Sequence, residues 1–175
     1  MCSIRAELKP EERAKLLRDL WIAHDGRWFL KIAEEFGFDT ANRINQAIIR
    51  SMGKKEAKEL MIRTGARIAN IDDVKRFLEM GGDIYWPEEH KREMEVIGDS
   101  VILGRVLQCY VWSNVNKAGG LSAYRCAAVI RFRGWVDAFG VPGEVTGSSE
   151  CDKCNGSCDI SFKFDWSAEK AVQRG

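Results

Sequence analysis

The sequence predicts an α+β protein, with helices in the first half and an antiparallel sheet in the second. Up to about residue 82, apolar residues recur at intervals of three or four, which is the helical period. From Asp83 onward, short runs of β-branched and aromatic residues alternate with glycine-containing turns. We therefore expect N-terminal helices packed with an antiparallel sheet, one further helix, and a C-terminal metal-binding cysteine loop.

Chain length and composition indicate one domain. A chain of 175 residues with 45% hydrophobic residues can bury one core, and it is too short for two full-sized domains. No linker rich in proline or charge divides it. We predict a single domain over residues 1–175, made of a helical half (1–82), a part that carries the sheet, a helix and the cysteine loop (83–166), and a tail (167–175).

The first predicted helix begins near Pro10, because proline suits the first turn of a helix, and it ends at about Phe36, before Gly37. One set of large residues follows the helical period and is predicted to form the buried face. These residues are Leu17, Trp21, His24, Trp28 and Ile32.

Glycines are predicted to divide the remaining helical sequence. A second helix is capped by Asp39 or Thr40 and meets a break or kink at Gly53, and a third runs from Lys54 to Gly65. A fourth, short helix is stopped by two further glycines. Its predicted cap and stops are Asp72 or Asp73, and Gly81 with Gly82.

The second half predicts a hairpin, a helix and two strands. Residues 94–97 and 101–112 form the hairpin around the Gly98-Asp99 turn, and residues 121–139 have helical spacing. Residues 145–150 are predicted as a short strand. Residues 160–164 alternate apolar and polar side chains, which is typical of a half-buried strand.

Four cysteines are predicted to form one metal site. Cys151 and Cys154 make a C-x-x-C pair, whose two sulfurs suit tetrahedral zinc at about 2.3 Å, and Cys158 follows on the same loop. Cys126 is the best fourth ligand because it lies on the predicted helix that leads into this loop. Cys109, like Cys2, is isolated in sequence and is left out of the set.

Other uses of these thiols remain open. An iron-sulfur cluster also takes four thiolates, a C-x-x-C pair can be a redox pair, and buried cysteines can be plain structural thiols. A redox pair of the thioredoxin type is disfavoured, because no βαβ context surrounds it and Cys158 would have no role. Structural zinc is the cofactor we expect, with an iron-sulfur cluster as the alternative.

Charge and hydropathy exclude some partners. Lys and Arg number 27 against 26 for Asp and Glu, and the resulting net charge of +1 offers no field for binding nucleic acid or an anionic membrane. Residues 1–13 contain no apolar signal-peptide core, and no apolar run reaches the roughly 18 residues of a membrane span. We therefore expect a cytoplasmic protein without nucleic-acid or membrane partners.

The second half of the chain resembles the 4-vinyl reductase domain, a small-molecule-binding family that also supplies sensory modules of aromatic-responsive regulators. The resemblance rests on residues 150–158 (ECDKCNGSC), on the strand that follows them, and on Tyr124-Arg125-Cys126. It implies zinc rather than iron, an apolar pocket beside the metal, and a homodimer. Where those regulators use a carboxylate this chain has Cys151, which leaves Glu150 as a substitute ligand.

The first half, especially residues 24–30 and 41–60, is similar to an uncharacterised family of small cytosolic proteins that is related to the L-2-amino-thiazoline-4-carboxylate hydrolases. This resemblance implies an alternative function, a hydrolase or reductase acting on a small heterocyclic substrate. His24 is the candidate general acid or base for such chemistry. No G-x-S-x-G elbow, Walker loop, dinucleotide fingerprint or H-E-x-x-H motif supports a specific enzyme class.

A small-molecule pocket is predicted from aromatic residues with a few polar groups among them. A tryptophan-rich wall can hold a flat apolar ligand, a histidine can orient it, and an arginine can bind its carboxylate. The predicted ligand-binding residues are His24, Trp28, Trp112, Arg131 and Trp135. His90, among Glu88, Glu89 and Lys91, is predicted to lie on the surface.

Overall fold

The computed structural model describes residues 7–147 and 154–167, and these contain five helices and four strands. The α+β class and the antiparallel sheet predicted from the sequence are confirmed. The helices are α1 (Pro10–Phe36), α2 (Phe38–Thr64), α3 (Ile71–Tyr85), α4 (Tyr110–Lys117) and α5 (Ala128–Phe139). The strands are β1 (Lys91–Ile97), β2 (Val101–Gln108), β3 (Gly143–Gly147) and β4 (Cys158–Phe164).

The four strands form one antiparallel sheet in the order β1-β2-β4-β3. The predicted hairpin and the alternating final strand are confirmed. Every second residue of β4 points into the core, and Ile160, Phe162 and Phe164 are buried together with Ile102 of β2. Helices α3 and α5 contribute buried residues to the same core, so they lie on one face of the sheet.

The second strand of the hairpin is shorter than predicted. It ends at Gln108, and the residues predicted to continue it to Trp112 begin helix α4 instead. The thiol sulfur of Cys109 accepts a hydrogen bond from the backbone N–H of Trp112 at 3.4 Å. This contact satisfies one of the free N–H groups at the start of α4, as a capping side chain does.

The predicted break at Gly53 is wrong, because α2 runs through it without interruption. A Cβ at Gly53 would overlap the carbonyl oxygen of Arg131 in α5, and a Cβ at Gly134 of α5 would overlap the carbonyl oxygen of Arg50 in α2. The two glycines therefore let the helix backbones touch. They are a packing device between helices rather than a helix stop.

The predicted stop at Gly81 and Gly82 is also wrong, since α3 continues to Tyr85. A Cβ at Gly81 would overlap the indole ring of Trp135, which is 1% exposed. The guanidinium of Arg92 lies against Gly82 in the same way. Both glycines make room for large side chains, so the helix keeps its hydrogen bonds while it loses side-chain bulk.

Helix α5 begins at Ala128 rather than at Leu121. The irregular segment before it is held by the buried side chain of Asn42 in α2. The Asn42 amide donates to the carbonyl oxygen of Ala123 at 2.7 Å and accepts from the N–H of Arg125 at 2.8 Å. One side chain thus satisfies two backbone groups that a helix would otherwise pair.

The predicted bounds of α1 are confirmed, and Gly37, with φ of +81°, separates it from α2. Its predicted buried face is wrong. Leu17, Trp21 and Trp28 are about 60 to 70% exposed, at 68%, 60% and 59%. The helix instead packs through Phe29, whose ring contacts those of Phe38 and Tyr124, and through buried Ala33.

No helix within the two described stretches has both the length and the apolar composition for crossing a membrane.

The close approach of α2 and α5 can be tested with Gly134→Ala. The added methyl group must push two backbones apart, and we expect the free energy of unfolding to fall by about 3 kcal/mol in urea titrations. Gly26→Ala in α1 is the matched control, since nothing lies within 4 Å of its added Cβ. It should stabilise the protein by about 0.5 to 1 kcal/mol through helix propensity. Equal effects of the two variants would contradict the packing described here.

Candidate functional site

The start of α4 lies against the loop that leads into β4. The N–H of Cys109 donates to the carbonyl oxygen of Gly156 at 2.8 Å, and the indole N–H of Trp112 donates to the carbonyl oxygen of Cys154 at 2.8 Å. Gly156 has φ of +92°, and its Cα faces the Trp112 ring closely. Glycine is required there by the backbone conformation. These contacts bring Cys109 next to the cysteine loop.

Two further cysteines are placed by the sheet and by α5. Cys158 is the first residue of β4 and pairs with Val106 near the end of β2. Cys126 precedes α5, and its sulfur accepts a hydrogen bond from the N–H of Ala128 at 3.5 Å. The first turn of α5 packs on the sheet, since Val129 lies close to Gly147 of β3.

Electrostatics show that four thiols share this region. Burial, and after it the charges of Cys126, Cys109 and Cys154, raise the pKa of Cys158 to about 12. Burial likewise raises the pKa of Cys109, and the charges of Cys126 and Cys154 add to that rise. Each thiolate would therefore disfavour the ionisation of the other thiols in the absence of a cation. We call Cys109, Cys126, Cys154 and Cys158 the thiol cluster.

Cys109 is the member that sequence reasoning missed. It is isolated along the chain, and its place follows from the pairing of β2 with β4, which sets the end of one strand beside the start of the other. No signal in the sequence identified it, because Cys109 lies within residues 101–112, which were predicted to form one strand.

The metal site predicted from the sequence is only partly within the described residues. Cys151 lies outside them, so its place in the set is untested. Within residues 7–147 and 154–167, no group of three or more His, Cys, Asp or Glu side chains has the arrangement of a metal site. The thiol cluster is therefore a gathering of donors near one another rather than a closed coordination shell.

The structure does not bring the five predicted ligand-binding residues together. Trp112 lies at the cysteine loop, whereas His24 and Trp28 lie on the exposed side of α1. Arg131 and Trp135 are neighbours on α5, but Trp135 is part of the core and the side chain of Arg131 is only 14% exposed. Both are engaged by a residue of α2 that the sequence did not single out.

That residue is Glu56, which is 8% exposed. Its carboxylate accepts from Nη2 and Nε of Arg131 at 2.6 and 2.9 Å, and from the indole N–H of Trp135 at 3.0 Å. A buried charge requires such pairing, because an isolated carboxylate inside a protein is very costly. Arg131 is thereby committed to an internal ion pair, and its guanidinium lies 4.6 Å from the centre of the Trp86 ring.

His90 is 8% exposed and packs against Trp86, next to the Glu56–Arg131 pair. The sequence predicted it to lie on the surface, and that prediction is wrong. The His90 ring stacks on that of Trp86 at 4.7 Å, and its Nδ1 accepts from the N–H of Tyr110 at 3.4 Å. Burial, and after it the positive charges of Arg92 and Arg131, lower the pKa of His90 to about 4. The imidazole is therefore neutral in the folded protein at neutral pH.

An open cleft of about 620 Å³ lies on the outer side of the sheet, beside the thiol cluster. Leu103, Arg105 and Leu107 line it from β2, and Cys158 lies at its edge. None of the five predicted ligand-binding residues lines this cleft.

The neutral state of His90 predicts a dependence of stability on pH. The unfolded chain takes up a proton near pH 6.5, whereas folded His90 does so near pH 4. The contribution of His90 is complete above pH 6.5 and is lost as the pH falls toward 4, amounting to about 3 kcal/mol at about 1.4 kcal/mol per pKa unit. His90→Gln should flatten this part of the curve of unfolding free energy against pH. Parallel curves for variant and wild type would show that His90 is not buried in the neutral form.

Comparison with known proteins identifies a family whose function is unknown. The model of a family of unknown function, DUF6125, matches residues 8–139. None of the curated proteins matches the chain. The matched region includes Cys109 and Cys126 and ends before the cysteine loop. Because the match covers well over half of its length, this chain belongs to the DUF6125 family.

Proposed function

We propose that Cys126, Cys151, Cys154 and Cys158 bind one zinc ion that has a structural role. The observation that carries the proposal is the meeting of separate chain segments at the thiol cluster, where the start of α5, the loop before β4 and the start of β4 each present a sulfur, those of Cys126, Cys154 and Cys158. Thiols from distant parts of a chain are drawn together in this way at structural zinc sites.

The chemistry of the donor set also favours a cation. Burial and mutual repulsion raise the pKa of Cys158 to about 12, so this thiol would stay protonated without a metal. A bound zinc ion deprotonates the thiols that coordinate it and compensates their charges. Four thiolates complete a tetrahedral shell and leave no position for substrate, which fits a structural rather than a catalytic ion.

Zinc at this place would tie the last strand to the rest of the fold. It would join the loop before β4 to the start of α5 through Cys126, while the hydrogen bonds of Cys109 and Trp112 hold the same loop to α4. The iron-sulfur alternative uses the same thiolates, and a brown colour that bleaches on reduction would identify it.

The metal proposal predicts the behaviour of Cys154→Ser and Cys158→Ser. Wild-type protein should carry about one zinc per chain by elemental analysis, and each variant should lose it together with a large part of its thermal stability. Cys2→Ser is the control, since Cys2 is remote in sequence, and it should keep the metal. Metal content that is unchanged in the two cluster variants, or absent from the wild type, would defeat the proposal.

Cys109 and Cys151 compete for one position in this shell. The proposal assigns it to Cys151, because that residue forms the C-x-x-C pair. Cys151→Ser should then release zinc and Cys109→Ser should retain it. The reverse result would move the fourth ligand to Cys109 and leave the metal site in place.

We also propose that a small molecule binds beside this site, as the resemblance to the 4-vinyl reductase domain suggests. The cleft next to Cys158 supports it, since about 620 Å³ suits a small ligand and Arg105 could pair with an anionic group between Leu103 and Leu107. Native mass spectrometry of freshly purified protein should show a mass beyond protein and zinc. A variant with Leu103→Glu should lose that mass, and Ile97→Glu, an exposed position outside the lining, should keep it.

A further inference from the structure

Helix α1 exposes a row of large side chains on the side that faces away from the rest of the protein. Leu17, Leu20, Trp21 and Trp28 are 68%, 57%, 60% and 59% exposed, and His24 lies among them. Spacings of three and four residues set all five on one side of a helix. We call these five residues the outer stripe.

The inner side of α1 combines apolar and polar contacts, since Phe29 and buried Ala33 pack inward and Arg18 reaches α3. Arg18 donates from Nη1 to the carbonyl oxygen of Asp83 at 3.3 Å, and its Nε is buried with no hydrogen-bond partner in the described part of the chain. A surface helix usually turns its charges outward and its apolar residues inward. The outer stripe of α1 departs from that rule, because it exposes four large apolar side chains.

Two polar atoms within the outer stripe are paired with each other. The indole N–H of Trp28 donates to Nε2 of His24 at 3.2 Å, and the Trp21 ring stacks on His24 with a centroid distance of 6.2 Å. The surface of the stripe is therefore mainly aromatic and aliphatic. Such surfaces are typical of the centre of a protein interface.

We propose that the outer stripe binds the outer stripe of a second copy of this chain, with the two α1 helices antiparallel. The residues at positions 17, 21, 24 and 28 are separated by four, three and four positions. This order reads the same in both directions, as a two-fold symmetric interface requires. A two-fold axis between positions 22 and 23 sets Leu17 opposite Trp28 of the partner subunit, and Trp21 opposite His24 of the partner subunit.

Charge at the two ends of the stripe is compatible with this orientation, since Lys31, which is also on this side, is paired with Glu34 of its own helix. Arg13 and Glu35 are exposed and lie on the same side of α1 as the stripe, Arg13 before it and Glu35 after it. Antiparallel pairing brings the arginine of each copy within about one helical turn of the opposing glutamate. Parallel pairing would set like charges together at both ends, which is unfavourable.

The area is sufficient for a stable contact. Two tryptophans and two leucines that are about 60% exposed offer on the order of 600 Å² per copy, given the size of such side chains. Two copies would then bury on the order of 1,200 Å², which exceeds the roughly 1,000 Å² expected of a specific interface. A single chain that left this surface in water would carry an apolar patch at the upper end of what monomers show.

Sedimentation equilibrium of the full chain tests the interface. The wild type should be a dimer at micromolar concentration, and Trp21→Glu and Trp28→Glu should each raise the dimer dissociation constant by about two orders of magnitude, as expected for central aromatic residues. Ile62→Glu is the matched control, because Ile62 is 76% exposed on α2 and lies outside the stripe, and it should remain dimeric. Circular dichroism confirms that each variant is folded.

Charge reversal tests the orientation. Arg13→Glu should weaken the dimer severalfold. Adding Glu35→Arg to it should restore the wild-type affinity, because opposite charges then again face each other at positions 13 and 35 of the two copies. A monomeric wild type would overturn the proposal, as would a dimer that persists in both tryptophan variants. Binding of a monomeric wild type to anionic lipid vesicles through the two tryptophans would assign the stripe to a membrane surface instead. If the double variant does not regain the wild-type affinity, the antiparallel arrangement is wrong.

Discussion

The close approach of α2 and α5 is the constraint on which the rest of this fold depends. These two helices pack along each other more extensively than any other pair in the described chain, and Gly53 and Gly134 let their backbones touch. At that distance Glu56 reaches both Arg131 and Trp135. The glycines therefore do more than admit a helix crossing, because they permit a buried ion pair that a wider spacing would leave unsatisfied.

The contact between α2 and α5 also sets the position of the aromatic residues around His90 and of the thiol cluster. Trp135 fills the space above Gly81 and so fixes α3, while Arg131 lies on Trp86, which in turn covers His90. At its other end α5 begins beside Cys126 and packs on the strands that carry Cys158. The distance between these two cysteines is thus set by helix packing rather than by the loop that separates them in sequence.

Local sequence patterns predicted where strands occur and the bounds of α1, but not the end of β2 or the contacts between distant elements. The alternation of residues 160–164 and the turn at Gly98 are local signals, and both were sufficient. A glycine in a helical sequence usually predicts a break or an end of the helix, as it did at Gly53 and Gly81. Their actual role is contact with a neighbouring helix that is distant in sequence. Cys109 was missed for the same reason, since the pairing of β2 with β4 brings it to the cysteine loop. The period of α1 predicted a buried face for Leu17, Trp21 and Trp28, but these residues are exposed, because a period shows which residues share a side of a helix and not what that side packs against.

The central claim is that thiols from separate segments surround one metal ion at the base of β4. X-ray absorption at the zinc edge of the purified full chain tests this most directly, because it reads the identity and distance of the atoms bound to the metal. The account predicts a single shell of four sulfur atoms at about 2.3 Å. A shell with oxygen or nitrogen in place of two or more sulfurs would contradict it, as would protein that holds no zinc.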